Sequence, residues 1–182
     1  MTPFRPNAEQ LAAAQDVTIP DVSAPGLRVL FCGINPGLWS GATRHHFARP
    51  GNRFWPSLYR SGFTPRQLRP DEQGELLELG LGITNVVARA SAKADELTRA
   101  ELKEGGAALV ERVARLRPRV LAVLGIGAYR TAFGHPRAAV GRQVDGLGET
   151  EVWVLPNPSG LNAHYSLDAL AAEFRKLREA LD

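Results

Sequence analysis

The stretch that most constrains this 182-residue chain is a short apolar run that breaks abruptly into a turn. Residues 27–32 read LRVLFC, and Gly33-Ile34-Asn35-Pro36-Gly37 follows directly. An apolar run of this length bounded by glycine is typical of a buried strand. Neither regular structure continues through a proline placed beside glycines. Asn35 is therefore predicted to lie where a buried strand ends, and in an open α/β sheet ligands bind at that end.

The same alternation of apolar strand and amphipathic helix continues along the chain. Further strands are predicted at residues 81–87, 119–124 and 151–155. A Thr98-x-x-Glu101 capping box opens one helix, and Ser166 is placed to cap the last one. This order predicts an α/β fold, a three-layer sandwich with a central four-stranded parallel sheet. Residues 1–26, with four prolines, are predicted to be an N-terminal arm, and residues 27–182 a single domain.

Composition narrows the class of protein. No run of about 18 apolar residues is present, which argues against a membrane span, and the first twenty residues lack the pattern of a signal peptide. The single cysteine, Cys32, excludes an internal disulfide and a cysteine-based metal cluster. A cytoplasmic protein is expected. The net charge of +3 and the pI near 9.4 are compatible with a polyanionic partner.

The loops that follow parallel strands meet at one edge of the sheet, and the site is expected there. These loops are residues 33–47, 88–97, 125–128 and 156–162. None carries the lysine-bearing phosphate loop of nucleotide hydrolases or a Gly-x-Ser-x-Gly elbow. The histidines lack metal-ligand spacing, and His45-His46 is interpreted as a solvated loop pair.

Two of these loops share an unusual chemistry. Each carries an asparagine bracketed by proline and glycine, in GIN35PG and PN157PSGL. Asparagine also favours turns for purely structural reasons. However, the predicted sheet places both loops at one edge, with the aromatic Phe47 between them. Amide groups beside an aromatic face suit a flat polar ligand such as a nucleobase.

Four motifs then occur in a fixed order: GINPG at 33–37, GNRFW at 51–55, GITN at 82–85 and LPNPSGL at 155–161. Together they resemble the mismatch-specific uracil-DNA glycosylases, the group of bacterial Mug and eukaryotic thymine-DNA glycosylase. The resemblance implies a uracil-DNA glycosylase-like sandwich that binds double-stranded DNA containing uracil or mismatches. It also implies flipping of uracil, and more weakly thymine, from G:U or G:T pairs and hydrolysis of the N-glycosidic bond. No metal and no cofactor are implied, and a monomer is expected.

The resemblance also implies roles for individual residues. Asn35 would position the attacking water, and Phe47 would stack on the extruded base beside Gly33 and Ile34. Asn157 stands where the more powerful uracil glycosylases carry histidine. The DNA wedge would be Gly160, Leu161 and Asn162.

A neutral asparagine cannot act as a base at pH 7, so the chemistry calls for a carboxylate at the same edge. Asp95 lies in the loop after the second strand and is not needed for the capping box. We therefore expect Asp95 to be a second catalytic residue that assists water activation. The alternative is a solvated loop acid, and Glu96 is a weaker candidate.

Candidates for phosphate contacts are the polar side chains near the same loops: Ser159, His164, Lys93, Arg44 and Arg53. Asn85 stands where some relatives have lysine, so excision of uracil from a broader range of contexts is also expected. Two other functions stay open from the sequence: a non-catalytic protein that binds mismatched or abasic DNA, and an α/β domain that binds a free nucleoside or nucleotide.

Overall fold

The structure is a computed structural model that describes residues 3–182. Its helices are α1 (Ala8–Ala13), α2 (Leu38–Thr43), α3 (Phe54–Arg60), α4 (Arg99–Leu116), α5 (Ile126–Phe133) and α6 (Leu167–Ala180). Its strands are β1 (Val29–Gly33), β2 (Leu81–Asn85), β3 (Val120–Leu124), β4 (Gly141–Arg142) and β5 (Glu151–Leu155). Two 3-10 helices span Pro70–Leu79 and Ala94–Glu96.

The strands form one mixed sheet in the order β2-β1-β3-β5-β4. The first four strands in this order are parallel, which confirms the predicted parallel sheet. The fifth, β4, pairs antiparallel with β5 through Gly141 and Arg142. The sequence analysis assigned no strand to these residues, because two residues are too few to carry a strand pattern.

Alternate side chains of the strands build one apolar core on each face of the sheet. On one face Phe31 is fully buried against α3 and α6, with its ring stacked on Phe174 and edge-on to Phe54. On the other face Leu30 and Cys32 pack under α4 and α5. The result is the predicted three-layer sandwich.

Helix ends follow the capping residues that the sequence placed there. Thr98 Oγ1 accepts a hydrogen bond from the Glu101 amide at 3.1 Å, and Glu101 Oε2 accepts one from the Thr98 amide at 2.8 Å. Ser166 caps α6 through the Ala169 amide at 3.1 Å.

The N-terminal segment lies along the outer edge of β2. Val22 and Ile83 exchange two backbone hydrogen bonds of 2.9 and 2.7 Å, and Thr18 bridges to Arg89. None of the helices within residues 3–182 is both long and apolar enough to cross a bilayer.

Candidate active site

A cavity of about 850 Å³ opens at the carboxyl ends of the parallel strands. Its polar lining comes mainly from Asn35, Asn85, Ser91, Lys93, Asp95, Asn157 and Ser159, and its apolar lining includes Ile34, Phe47 and Leu161. Of the four loops expected at this edge, three line the cavity; within the described residues the Gly125–Ala128 loop does not. The fold therefore brings residues from three loops that are distant in sequence to one cavity, at the edge of the sheet where the site was expected.

Asn35 is held in one orientation. Its Nδ2 donates to the carbonyl oxygen of Arg89 and to Ser91 Oγ, both at 2.9 Å. Both amide hydrogens are thereby used, so Oδ1 is the group that remains to interact in the cavity. Because that oxygen can only accept hydrogen bonds, Asn35 is set to bind a water molecule through the hydrogen of that water.

Ser91 connects Asn35 to the loop that carries the acidic candidates. Its hydroxyl accepts from Asn35 and donates to the Lys93 carbonyl at 2.7 Å, and its residue is only 2% exposed. Lys93, Asp95 and Ser91 all line the cavity. Ser91 is a residue that the sequence analysis missed, since a serine in a polar loop has no distinguishing pattern.

The acceptor for Asn35 is fixed by an ion-pair network around Arg89. The Arg89 guanidinium binds Glu101 through Nε at 2.6 Å and Asp16 through Nη1 at 3.0 Å. The Arg89 hydrogen bond, together with the Thr98 amide, lowers the pKa of Glu101 to about 2. The loop after β2 is thus tied to both α4 and the N-terminal segment.

Asp95 lies on the cavity wall, within the short 3-10 helix that follows Lys93. Its carboxylate accepts no hydrogen bond and forms no ion pair with any residue from 3 to 182, and it is exposed. Its neighbour Glu96 differs, because Glu96 Oε2 accepts from the Lys93 amide at 2.6 Å. Of the two acids, Asp95 has the carboxylate that is available to a ligand.

Phe47 forms the aromatic wall of the cavity. Its ring stacks on Phe54 with centroids 4.1 Å apart, and its backbone adopts a left-handed φ of 53°. Such a conformation is strained in a bulky residue and is often found at functional sites. Gly33 makes room for the ring, since a Cβ there would lie 3.3 Å from it and 2.6 Å from Asn85 Oδ1.

Asn85 and His46 form a buried polar pair behind that wall. Asn85 Nδ2 lies 3.4 Å from His46 Nδ1, and His46 Nε2 lies 2.9 Å from the carbonyl of Pro20. The carbonyl requires a proton on Nε2, so Nδ1 is the acceptor for Asn85. Burial lowers the pKa of His46 below its usual value, which favours this neutral form.

The interpretation of His45-His46 as a solvated pair was wrong for His46, which is 2% exposed. The aromatic core around Trp55 explains this burial: the Trp55 indole donates to the His46 carbonyl at 3.2 Å. Asn85 was noted in the sequence only as a departure from relatives. The signal that could have identified it was a polar side chain inside an apolar strand pattern, and the structure places it at the last residue of β2.

The loop after β5 carries the three residues that were expected to form the wedge, Gly160, Leu161 and Asn162. Leu161 is 67% exposed at its tip and also lines the cavity. Asn157 Oδ1 accepts from the Ser159 amide at 2.9 Å, and Asn162 Nδ2 donates to the Asn157 carbonyl at 3.0 Å. Gly160 lies against Gly51, where a Cβ would approach the Gly51 carbonyl oxygen to 2.8 Å. The loop is therefore compact, with an apolar side chain projecting from it.

Of the phosphate-contact candidates, Lys93 and Ser159 line the cavity, whereas His164 is exposed outside it. Arg53 was also a candidate, but its guanidinium is directed inward. It donates to the carbonyl groups of Ser159 and Tyr165, so it is engaged with the protein itself.

Among residues 3–182 no cluster of three or more histidine, cysteine, aspartate or glutamate side chains could hold a metal ion. The groups that face the cavity include amides, hydroxyls, an imidazole, cationic side chains, a carboxylate and aromatic rings. This set can bind a planar polar base, hold a water molecule and stabilise positive charge.

Comparison with known proteins agrees with this geometry. The solution NMR structure of a protein from Methanosarcina acetivorans, provisionally named a uracil DNA glycosylase, superposes with a TM-score of 0.61. The two share 18% sequence identity, over 90% of this chain and 98% of the other, so they have the same fold. The family model described as "Uracil DNA glycosylase superfamily" matches residues 20–182. The chain therefore belongs to the uracil DNA glycosylase superfamily.

Proposed function

We propose that this protein is a DNA glycosylase of base excision repair, which hydrolyses the N-glycosidic bond of uracil extruded from mismatched DNA. The observation that carries the proposal is the locked amide of Asn35, whose Oδ1 is left to face a cavity walled by Phe47. Extrusion of the base is required because the target bond is inaccessible in the stacked duplex.

The cavity can distinguish uracil from cytosine. Asn85 donates one amide hydrogen to His46, so its oxygen and second hydrogen are left for a ligand. Uracil presents an N–H donor beside a carbonyl acceptor, which matches that pair. Cytosine presents the reverse pattern, so the Asn85 amide would have to rotate by half a turn to bind it. The amide oxygen would then face Nδ1 of neutral His46, and both atoms are hydrogen-bond acceptors. Phe47 supplies the stacking surface for the ring.

Bond cleavage then needs a positioned water molecule. A water that donates one hydrogen to Asn35 Oδ1 and the other to the Asp95 carboxylate has its lone pairs free for the anomeric carbon. The bond from this carbon to the base nitrogen breaks as the bond to the water oxygen forms. The water proton leaves to Asp95 or solvent, and the base leaves as an anion. The negative charge of Asp95 also stabilises the cationic sugar.

Extrusion is assigned to the wedge residues Gly160, Leu161 and Asn162. Leu161 is an exposed leucine beside the cavity, and an apolar side chain in that place can fill the gap left by the base. A mismatched pair costs less to open than a matched one, which favours uracil opposite guanine, with thymine opposite guanine a poorer substrate. We place Lys93, Ser159 and His164 at the DNA backbone.

Single-turnover release of uracil from a G:U duplex tests the assignment. We expect wild type to release base, and Asn35→Ala and Asp95→Asn each to be slower by about 100-fold or more, as for loss of a positioning or acid–base group. Asp168→Asn, a change to an exposed carboxylate on α6, is the matched control and should leave the rate unchanged.

The outcomes separate the competing functions. A wild-type protein that binds the mismatch but releases no base is a non-catalytic binder, and the proposal fails. If Asp95→Asn releases uracil at the wild-type rate while Asn35→Ala is inactive, Asp95 is a solvated loop acid without a catalytic role. Binding of free uridine without duplex binding would point instead to a nucleoside-binding domain.

A further inference from the structure

The wedge loop is organised by one side chain from another part of the chain. The Nη2 of Arg53 donates to the carbonyl oxygens of Ser159 at 2.7 Å and Asn162 at 3.0 Å. Its Nη1 donates to the carbonyl of Tyr165, and its own backbone amide to the carbonyl of Pro158 at 2.9 Å. A single arginine therefore holds carbonyl groups on both sides of the loop tip.

These contacts bracket the apolar residue at the tip. Ser159 and Asn162 flank the Gly160-Leu161 pair, and Nη2 binds both of their carbonyl oxygens. The loop makes only short-range hydrogen bonds of its own here, such as the Asn162 amide to the Ser159 carbonyl at 3.0 Å. Without the Arg53 side chain these carbonyls would lose their shared donor, and the Arg53 backbone amide on Pro158 would be left to join the loop to the start of α3.

The charge of Arg53 is not neutralised by an acid. Among residues 3–182 no carboxylate forms an ion pair with it, and its side-chain contacts are to main-chain carbonyl oxygens. A guanidinium is suited to this task because its donors form a rigid planar fork, whereas lysine has a compact ammonium on a flexible stem. The half-buried arginine thus adds links from outside the loop to the short-range hydrogen bonds that the loop makes within itself.

We propose that Arg53 is a positioning residue for base extrusion. It holds the wedge loop in the DNA-binding conformation before DNA arrives, so that Leu161 enters the duplex without a further cost of ordering the loop. Gly160 completes the arrangement, since a side chain there would collide with the Gly51 carbonyl two residues before Arg53. This inference rests on the proposed glycosylase function, and it places Arg53 in extrusion and outside the chemical step.

The test separates extrusion from chemistry. A G:U duplex with 2′-fluoro-arabinouridine, which resists cleavage, and a neighbouring 2-aminopurine reports extrusion as a fluorescence increase. Uracil release from the normal G:U duplex is measured under single turnover. For Arg53→Gln we expect extrusion and release to fall by the same factor, about tenfold or more, because several charge-assisted hydrogen bonds are lost.

Three further variants test the cause. Arg53→Lys keeps the positive charge but not the planar set of donors. Most of the fluorescence increase that reports extrusion should therefore be lost in this variant as well. Arg178→Gln is the matched control, because Arg178 is also half-buried and donates to a backbone carbonyl, that of Ser61 at 2.7 Å, away from the wedge. It should extrude and release the base like wild type. Leu161→Ala should reproduce the defect of Arg53→Gln.

Other outcomes overturn the inference. Normal extrusion with slower release by Arg53→Gln would place Arg53 in the chemical step. Normal values for both would show that the wedge loop keeps its conformation without the Arg53 side chain. Full extrusion by Arg53→Lys would mean that charge alone is required. If wild type neither extrudes nor releases uracil, the proposed function fails together with this inference; if wild type does both, only the role of Arg53 is in question.

Discussion

The substitution Ser91→Ala tests the orientation of the Asn35 side chain, because it keeps Asn35 but removes a hydrogen bond that orients its amide. The serine hydroxyl accepts from Asn35 Nδ2 at 2.9 Å and donates to the Lys93 carbonyl at 2.7 Å, in a residue that is 2% exposed. Alanine removes both hydrogen bonds and leaves Asn35 attached through the Arg89 carbonyl alone. The amide can then rotate, and Oδ1 no longer faces the cavity in every molecule.

The size of the effect follows from the bonds that are lost. Leaving a buried donor without its partner costs about 1–3 kcal/mol. If that loss falls on the transition state, uracil release slows by about 5- to 160-fold at 1.36 kcal/mol per tenfold change in rate. Affinity for a duplex with an abasic-site analogue should not change, because Ser91 is held away from the DNA surface by its burial.

The assay is single-turnover uracil release by wild type, Ser91→Ala, Asn35→Ala and the double variant. With Asn35 already removed, Ser91→Ala should slow release no further, since the two residues act as one unit. Ser61→Ala is the control for a lost buried hydroxyl, because Ser61 Oγ donates to the Leu58 carbonyl at 3.1 Å far from the site. The reasoning is refuted if the two rate effects multiply in the double variant, or if Ser91→Ala releases uracil as fast as wild type.

Three other predictions follow from the same contacts. Gly33→Ala places a Cβ 2.6 Å from Asn85 Oδ1 and 3.3 Å from the Phe47 ring. Because the Asn85 amide would then be displaced, affinity for the extruded base should fall by about tenfold. A KM equal to that of wild type would contradict this. Because the pKa of His46 is lowered in the folded state, the unfolded chain binds the proton more readily. The contribution of His46 to stability is therefore present above pH 6.5 and is lost as the pH falls below it. Between pH 7.5 and 5 the midpoint temperature of thermal denaturation should fall less steeply for His46→Gln than for wild type. Arg89→Gln should slow uracil release by about tenfold, because the carbonyl that orients Asn35 lies in the segment that Arg89 anchors; an unchanged rate in a folded variant would show that Ser91 alone suffices.

The sequence predicted the frame of the molecule because local rules specify it. Apolar runs marked four of the five strands, and the Thr98 and Ser166 caps began the helices that they were expected to begin. The topological argument that strand ends meet at one edge then brought Asn35, Phe47 and Asn157 to the same cavity. These features depend on short-range patterns and on the geometry of parallel sheets.

What the sequence could not predict depends on partners that are distant along the chain. His46 is buried because Trp55 and Pro20 contact it, and Arg53 turns inward because carbonyls more than a hundred residues away accept from it. Nothing in the local pattern around either residue distinguishes a solvated cation or imidazole from a buried one. The role of Ser91 also requires knowledge of which loop lies beside Asn35.

The two edges of the sheet differ in what they offer to another chain. One edge ends in β4, which has only two residues and offers little for another chain to pair with. The other edge, β2, is a full strand whose central residue Ile83 is already paired with Val22. A chain started at Leu27 would leave these main-chain groups unpaired, as an open template for edge-to-edge aggregation. The N-terminal segment therefore protects this edge of the sheet, because it already pairs the main-chain groups of Ile83.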